Sequence, residues 1–187
     1  MSAKSQPNDT SSPLSAWTQR VTEIPERGLE ASYLASAEQR AEVSKALGLL
    51  GCEKLAVKYR IQAISGGRYR LIGNFTAIVS QACVITLAPV VSEVAETFDE
   101  EFWPPELVPM PKGGVADEQE VFAAGAAPEV IHQGHIEVGR IVFEQLATAL
   151  DPYPRAEGAT FAGSNAGVKR DLADNPFAAL QRLKDKP

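Results

Sequence analysis

Cysteine and histidine are scarce in this chain of 187 residues, with two of each: Cys52, Cys83, His132 and His135. Two cysteines do not make the disulfide framework of a small secreted domain, so a reduced compartment suits the chain better. No apolar run approaches the roughly 18 residues that a membrane-spanning helix needs. The opening stretch MSAKSQPNDTSS has neither the apolar h-region of a secretory signal nor the arginines of an organelle transit peptide. The expectation is a soluble, cytoplasmic protein. Chemical motifs are missing too: there is no Gly-rich phosphate loop with its lysine, no paired catalytic histidine and acid, and no recognisable metal triad. The expected sites therefore include no catalytic residue, no metal or other cofactor and no small-molecule substrate. Net positive charge is also lacking. The formal net charge of −6 argues against broad nucleic-acid binding, because phosphate attraction dominates that affinity, although a local basic face stays compatible with it.

What is present is enough for one sizeable core, with 44% hydrophobic and 22% charged residues. Residues 1–14 are expected to be a disordered N-terminal tail, residues 15–152 a single domain, and residues 153–187 a flexible linker with a short C-terminal helix. Residues 15–24, SAWTQRVTEI, alternate like a first strand that Pro25 and Gly28 end. Ser36-Ala37-Glu38-Gln39 has the form of a capping box, and Val43, Leu47 and Leu50 give the following helix an apolar stripe. Gly48 and Gly51 punctuate its end.

The clearest pattern comes next. Leu55, Val57, Tyr59, Ile61 and Ala63 alternate with polar residues, and after Ser65-Gly66-Gly67 the alternation resumes with Tyr69, Leu71, Phe75, Ala77 and Val79. A two-residue turn would mix the faces. A three-residue Ser-Gly-Gly turn pairs odd positions with odd and keeps one face apolar and one basic. The stretch QACVITLAPV at 81–90 reads as the third strand of a meander continuing toward Phe98. The spacing of Val138, Val142, Leu146, Ala149 and Leu150 predicts a helix that Asp151-Pro152 stops. A long loop near 103–130 separates the two. The whole predicts an α+β fold, mainly an antiparallel meander with a few packing helices and flexible tails.

Three constellations stand out. Cys52, Cys83, His132 and His135 make up a Cys₂His₂ set, but the cysteines form no C-x₂₋₄-C knuckle and H-x₂-H is tighter than the usual finger pair. A Cys83–His135 nucleophile pair is weakened by placing Cys83 on a buried strand, where a thiol is inert and its pKa rises. Cys83 is accordingly read as a small core residue. Lys54, Lys58, Arg60, Arg68 and Arg70 form a basic face, the best candidate for binding RNA or a partner; the competing explanation is the solvated outer face that antiparallel sheets commonly have. Glu93, Glu96, Asp99, Glu100, Glu101 and Glu106 surround Phe98, Phe102 and Trp103, a strip suited to folding over the basic face or holding a basic partner. After the linker, Asn175-Pro176 starts a short helix with Phe177, Leu180 and Leu183 on one face, too short to stand alone and so expected to dock.

Several segments in order resemble the YceD family, the large ribosomal RNA subunit accumulation proteins, in their alphaproteobacterial form. They are Leu71-Ile72-Gly73 with Ala77-Ile78-Val79-Ser80, QACVITLAPV, IEVGRIVFEQLATALDPYPR at 136–155, which adds Arg155 to the candidates for binding RNA or a partner, and NPFAALQRLK at 175–184. The resemblance implies a bacterial cytoplasmic, non-enzymatic factor that supports accumulation or processing of large-subunit (23S) ribosomal RNA, with that RNA or ribosomal and assembly proteins as partners. An alternative is an adaptor with no RNA contact, docking through its C-terminal helix. Many relatives carry a C-x-x-C at the position of QACVITLAPV; here Thr86 stands in place of the second cysteine, which argues against a metal. Relatives usually have Asp where Glu137 stands, and Glu is the poorer helix cap.

Overall fold

The computed structural model describes residues 12–108 and 128–160. The order of elements is β1 (Gln19–Arg20), a 3-10 turn (Val21–Glu23), β2 (Leu29–Leu34), α1 (Ala37–Leu47), β3 (Gly51–Ile64) and β4 (Arg68–Ala82). Then follow β5 (Pro89–Trp103), a second 3-10 turn (Pro105–Leu107), β6 (Glu129–Val130), β7 (His135–Ile136) and α2 (Val138–Ala149). The main sheet has five strands in the order β2-β3-β4-β5-β6. All its pairs are antiparallel except the short β5–β6 pair, and β1 pairs separately with β7. The fold is α+β, as the sequence predicts.

The β3–β4 hairpin has the expected register. Ile64 stands opposite Arg68, leaving Ser65-Gly66-Gly67 as the turn. Both glycines take positive φ, +79° and +70°, which side-chain-bearing residues resist. Odd positions therefore pair with odd, and Leu55/Ala77, Val57/Phe75 and Ile61/Leu71 all lie on the buried face. Next to them in the core are Phe98 and Phe102 from β5, with Val43 from α1 and Ile141, Val142 and Leu146 from α2. α1 packs on β3 and α2 on β5, so both helices cover the same face and leave the other face to solvent.

Ser36 and Gln39 close the capping box: Gln39 N–H donates to Ser36 Oγ at 3.2 Å, and Ser36 N–H donates to Gln39 Oε1 at 3.0 Å. Gly48 ends the helix at φ +65°. Replacing Ser36 by alanine is expected to cost about 1 kcal/mol, read as a lower urea midpoint with an unchanged m-value.

The structure departs from the sequence reading in several places. Of the strand expected over 15–24, only Gln19–Arg20 pairs, because the chain turns tightly at 13–16 and again at Val21–Glu23. Leu14, assigned to a disordered tail, is fully buried. Leu50 is exposed rather than on the α1 stripe, and Gly51 begins β3. The sequence reading has no strand at β2, although Leu29, Ala31 and Tyr33 alternate there with Glu30 and Ser32 and their burial alternates with them. The largest change concerns QACVITLAPV. β4 ends at Ala82 and β5 begins at Pro89, so residues 83–88 of this stretch are the loop of a hairpin whose ends it pairs, and β5 is the third meander strand.

α2 begins against the N-terminal turn. Gly139 N–H donates to the Trp17 carbonyl at 2.9 Å, and a Cβ on Gly139 would stand 2.0 Å from the Leu14 carbonyl oxygen. Trp17 in turn stacks on Tyr33, with ring centroids 5.3 Å apart, and Tyr33 leans on Tyr59 at 5.9 Å.

Candidate functional site

The basic residues do share one face, but they do not form a basic patch. Strand pairing sets acids beside most of them, because the outward positions of β2 and β5 include Glu30, Glu93, Asp99 and Glu101. Arg70 makes a bidentate pair with Asp99 at 2.7 and 2.6 Å, which holds the Asp99 carboxyl below the usual carboxylate range. Arg60 reaches Glu30 at 3.7 Å. Arg68 bonds the Ser65 carbonyl at 2.8 Å and lies 5.2 Å from the centroid of Trp103, whose ring nitrogen donates to Glu101 at 3.0 Å. Such exposed pairs add little to stability, yet they cancel the local field. Lys58 differs. Its row contains Ser32, Asn74 and Thr97, with no acid directly across.

The acidic segment is a strand, so its residues alternate. Phe98 and Phe102 point into the core, and Phe102 is fully buried, so it is packing rather than a partner contact. Trp103 is half-buried beneath Arg68. Arg140 on α2 gathers Glu129, Glu137 and Glu144 at 2.5, 3.3 and 3.0 Å. Glu137 stands at the helix start without capping it, its carboxylate turned to Arg140 instead. Carboxylates outnumber the cation here. Burial, helped by Glu129, Asp99 and Glu144, pushes the Glu100 carboxyl above its ordinary range.

Two segments that carry the family resemblance meet at the far end of the β4–β5 hairpin. Val84 N–H donates to the Pro154 carbonyl at 2.9 Å, Gln81 Nε2 donates to the Asp151 carbonyl at 3.0 Å, and Ala156 N–H donates to Cys83 Sγ at 3.3 Å. Residues 151–156 thus clasp the loop at 83–88. Ile85 and Thr86 N–H groups also point at the sulfur, at 3.4 and 3.5 Å, and Leu87 turns the chain at φ +61°. Cys83 is buried as expected, but its pKa falls to about 6 instead of rising. The Ala156 N–H contributes most, Thr86 and Ile85 add to it, and burial opposes them. Arg155 is exposed within the clasp.

A metal does not fit these residues. Cys83 is surrounded by N–H donors, with Thr86 where a second thiolate would be required, and among the described residues no group of three His, Cys, Asp or Glu converges. Cys52 lies at a bulge in β3, its thiol bonded to the Lys54 carbonyl and its pKa raised by burial. His132 and His135 close a tight turn through Gln133 and Gly134. Phe177, Leu180 and Leu183 lie outside the described residues. Sequence reasoning missed Arg140 and Ala156; a lone arginine among glutamates at helical spacing was the available sign for the first, and nothing pointed to the second.

Sheet, helices and clasp define an α+β protein whose distinctive contacts are main-chain and ionic. Among the described residues no helix is long and apolar enough to cross a membrane. The chain belongs to the YceD family: the family model described as large ribosomal RNA subunit accumulation protein YceD matches residues 71–184. Neither the curated proteins nor the solved structures contain a match. The matched range begins in β4 and takes in β5, α2 and the clasp, while β2, α1 and β3 precede it.

Proposed function

We propose that this protein is a cytoplasmic, non-enzymatic factor in the accumulation of large-subunit ribosomal RNA that works by holding a basic protein of the assembling subunit. The family gives the process. The choice of protein over RNA rests on one observation: acids on neighbouring strands pair with Arg60 and Arg70, which leaves Lys54 and Lys58 on the solvent face without the cluster of cations that phosphates need. A net charge of −6 supports the same reading.

The test replaces Lys54, Lys58 and Arg60 by glutamate and follows co-sedimentation with precursor large-subunit particles at two salt concentrations. Association within about twofold of the unaltered protein is expected, because an RNA contact through three cations is steeply salt-dependent and this one is not. A loss of tenfold or more at preserved melting temperature would assign RNA to this face and overturn the proposal.

A further inference from the structure

β5 spans Pro89–Trp103, yet β6 covers only its last residues, pairing with Phe102 and Trp103. Among the described residues no strand pairs with the rest of that edge. Which backbone groups it presents follows from one bond. The Trp103 carbonyl accepts from Ile131 N–H at 2.9 Å, so Trp103 directs its backbone away from β4. The β4–β5 register runs unbroken, so every second residue does the same. Val91, Glu93, Ala95, Thr97, Asp99 and Glu101 thus aim both N–H and C=O outward.

Among the described residues the edge is open in its middle. Glu93, Ala95, Glu96 and Thr97 are exposed, and Val91 is 61% exposed. Between Pro89 and Trp103 the strand carries Glu93, Glu96, Asp99, Glu100 and Glu101 and no lysine or arginine. Charge on an edge also deters self-association, but that role needs no particular sign, and lysine is the usual choice. Asp99 is already held by Arg70, so Glu93, Glu96 and Glu101 are the acids left to select a guest.

We infer that the β5 edge is a docking site for an extended basic segment of a protein partner, which adds as a further strand through main-chain hydrogen bonds. Alternate lysines or arginines lie along Glu93 and Glu101 on the solvent face, and the residues between them turn to the opposite face of the sheet. The opposite edge, β2 (Leu29–Leu34), is much shorter and has only Glu30 as an acid. This inference rests on the protein-partner reading of the proposed function and gives it a place on the fold.

The probe is a dye-labelled nine-residue peptide alternating lysine and valine, with a glutamate–valine peptide as control. Binding is followed by fluorescence anisotropy and located by amide hydrogen exchange. The lysine peptide is expected to bind in a salt-sensitive manner and to protect Glu93, Ala95 and Thr97, and the glutamate peptide not to bind. Thr97→Pro removes an outward N–H without breaking the β4 ladder, a position where edge strands tolerate proline. It is expected to weaken binding at least tenfold with little change in melting temperature. Methylating the lysine peptide's alternate backbone nitrogens is expected to do the same, and decides the matter should Thr97→Pro fold poorly. Undiminished binding to either altered partner, or protection at Glu30 and Ser32 instead, overturns the inference. Particle co-sedimentation separates the two ideas. Association that survives ribonuclease and also survives Thr97→Pro removes the edge but keeps the proposed function. Association lost to ribonuclease, with peptide binding at the edge intact, removes the proposed function but keeps the edge.

Discussion

Gly139→Ala is expected to destabilise the protein by about 2–3 kcal/mol, although the same change in an open helix would stabilise it by about 1 kcal/mol. The sign reverses because of what lies beside the helix. A Cβ there would stand 2.0 Å from the Leu14 carbonyl oxygen and 2.8 Å from Leu14 Cβ. Neither atom belongs to a flexible side-chain end, so the clash is relieved only by moving the turn at 13–16. That turn holds fully buried Leu14 and positions Trp17, whose carbonyl accepts the Gly139 N–H and whose ring stacks on Tyr33. Urea unfolding with an unchanged m-value checks it. A stabilised variant would show that the N-terminal turn does not pack on α2.

The Cys83 thiol is expected to titrate near pH 6, well below the ordinary value of 9.0. Thiolate absorbance near 240 nm, followed in a Cys52→Ser background, should show a step at that pH. The sign of its effect on stability follows from the direction of the shift. The folded state binds the proton less tightly than the unfolded chain, so folding gains from this group as pH rises from about 6 to 9. The gain is fully present above the ordinary thiol value and lost as pH falls through the folded one. Unfolding midpoints should therefore rise across that window, and adding Cys83→Ala should flatten the rise. A titration near 9 would mean that the Ala156, Thr86 and Ile85 donors do not hold the sulfur.

The β-rich half of the fold was legible because its signals are local. Alternation through Leu55–Ala63 and Tyr69–Val79 set the faces, and the three-residue turn set the register. The capping box at Ser36 is likewise four adjacent residues. QACVITLAPV misled for an instructive reason. Its composition is that of a strand, yet the Cys83 sulfur accepts from the N–H groups of both Thr86 and Ala156, and composition carries no record of a hydrogen bond across the chain. The basic face was legible as a face but not as a field. Its cations come from β3 and β4, while the acids beside them come from β2 and β5, and the sequence does not display that adjacency. Phe102 was misread because an acidic neighbourhood hid the period-two alternation that buries it.

The contact between Trp17 and Gly139 also has a consequence in time. Synthesis proceeds N-terminus first at about 5–20 residues per second, so Leu14 and Trp17 leave the ribosome on the order of ten seconds before the helix that covers them. The β3, β4 and β5 hairpins can close on their own within that interval, because each pairs with its immediate neighbour in the chain. The N-terminal turn cannot. A tryptophan and a leucine wait exposed until α2 is made, and the clasp at 151–156 seals the hairpin loop only after that. Commitment of the fold thus waits on the synthesis of α2, and a chain cut short before Gly139 would lack the cover for Leu14 and Trp17.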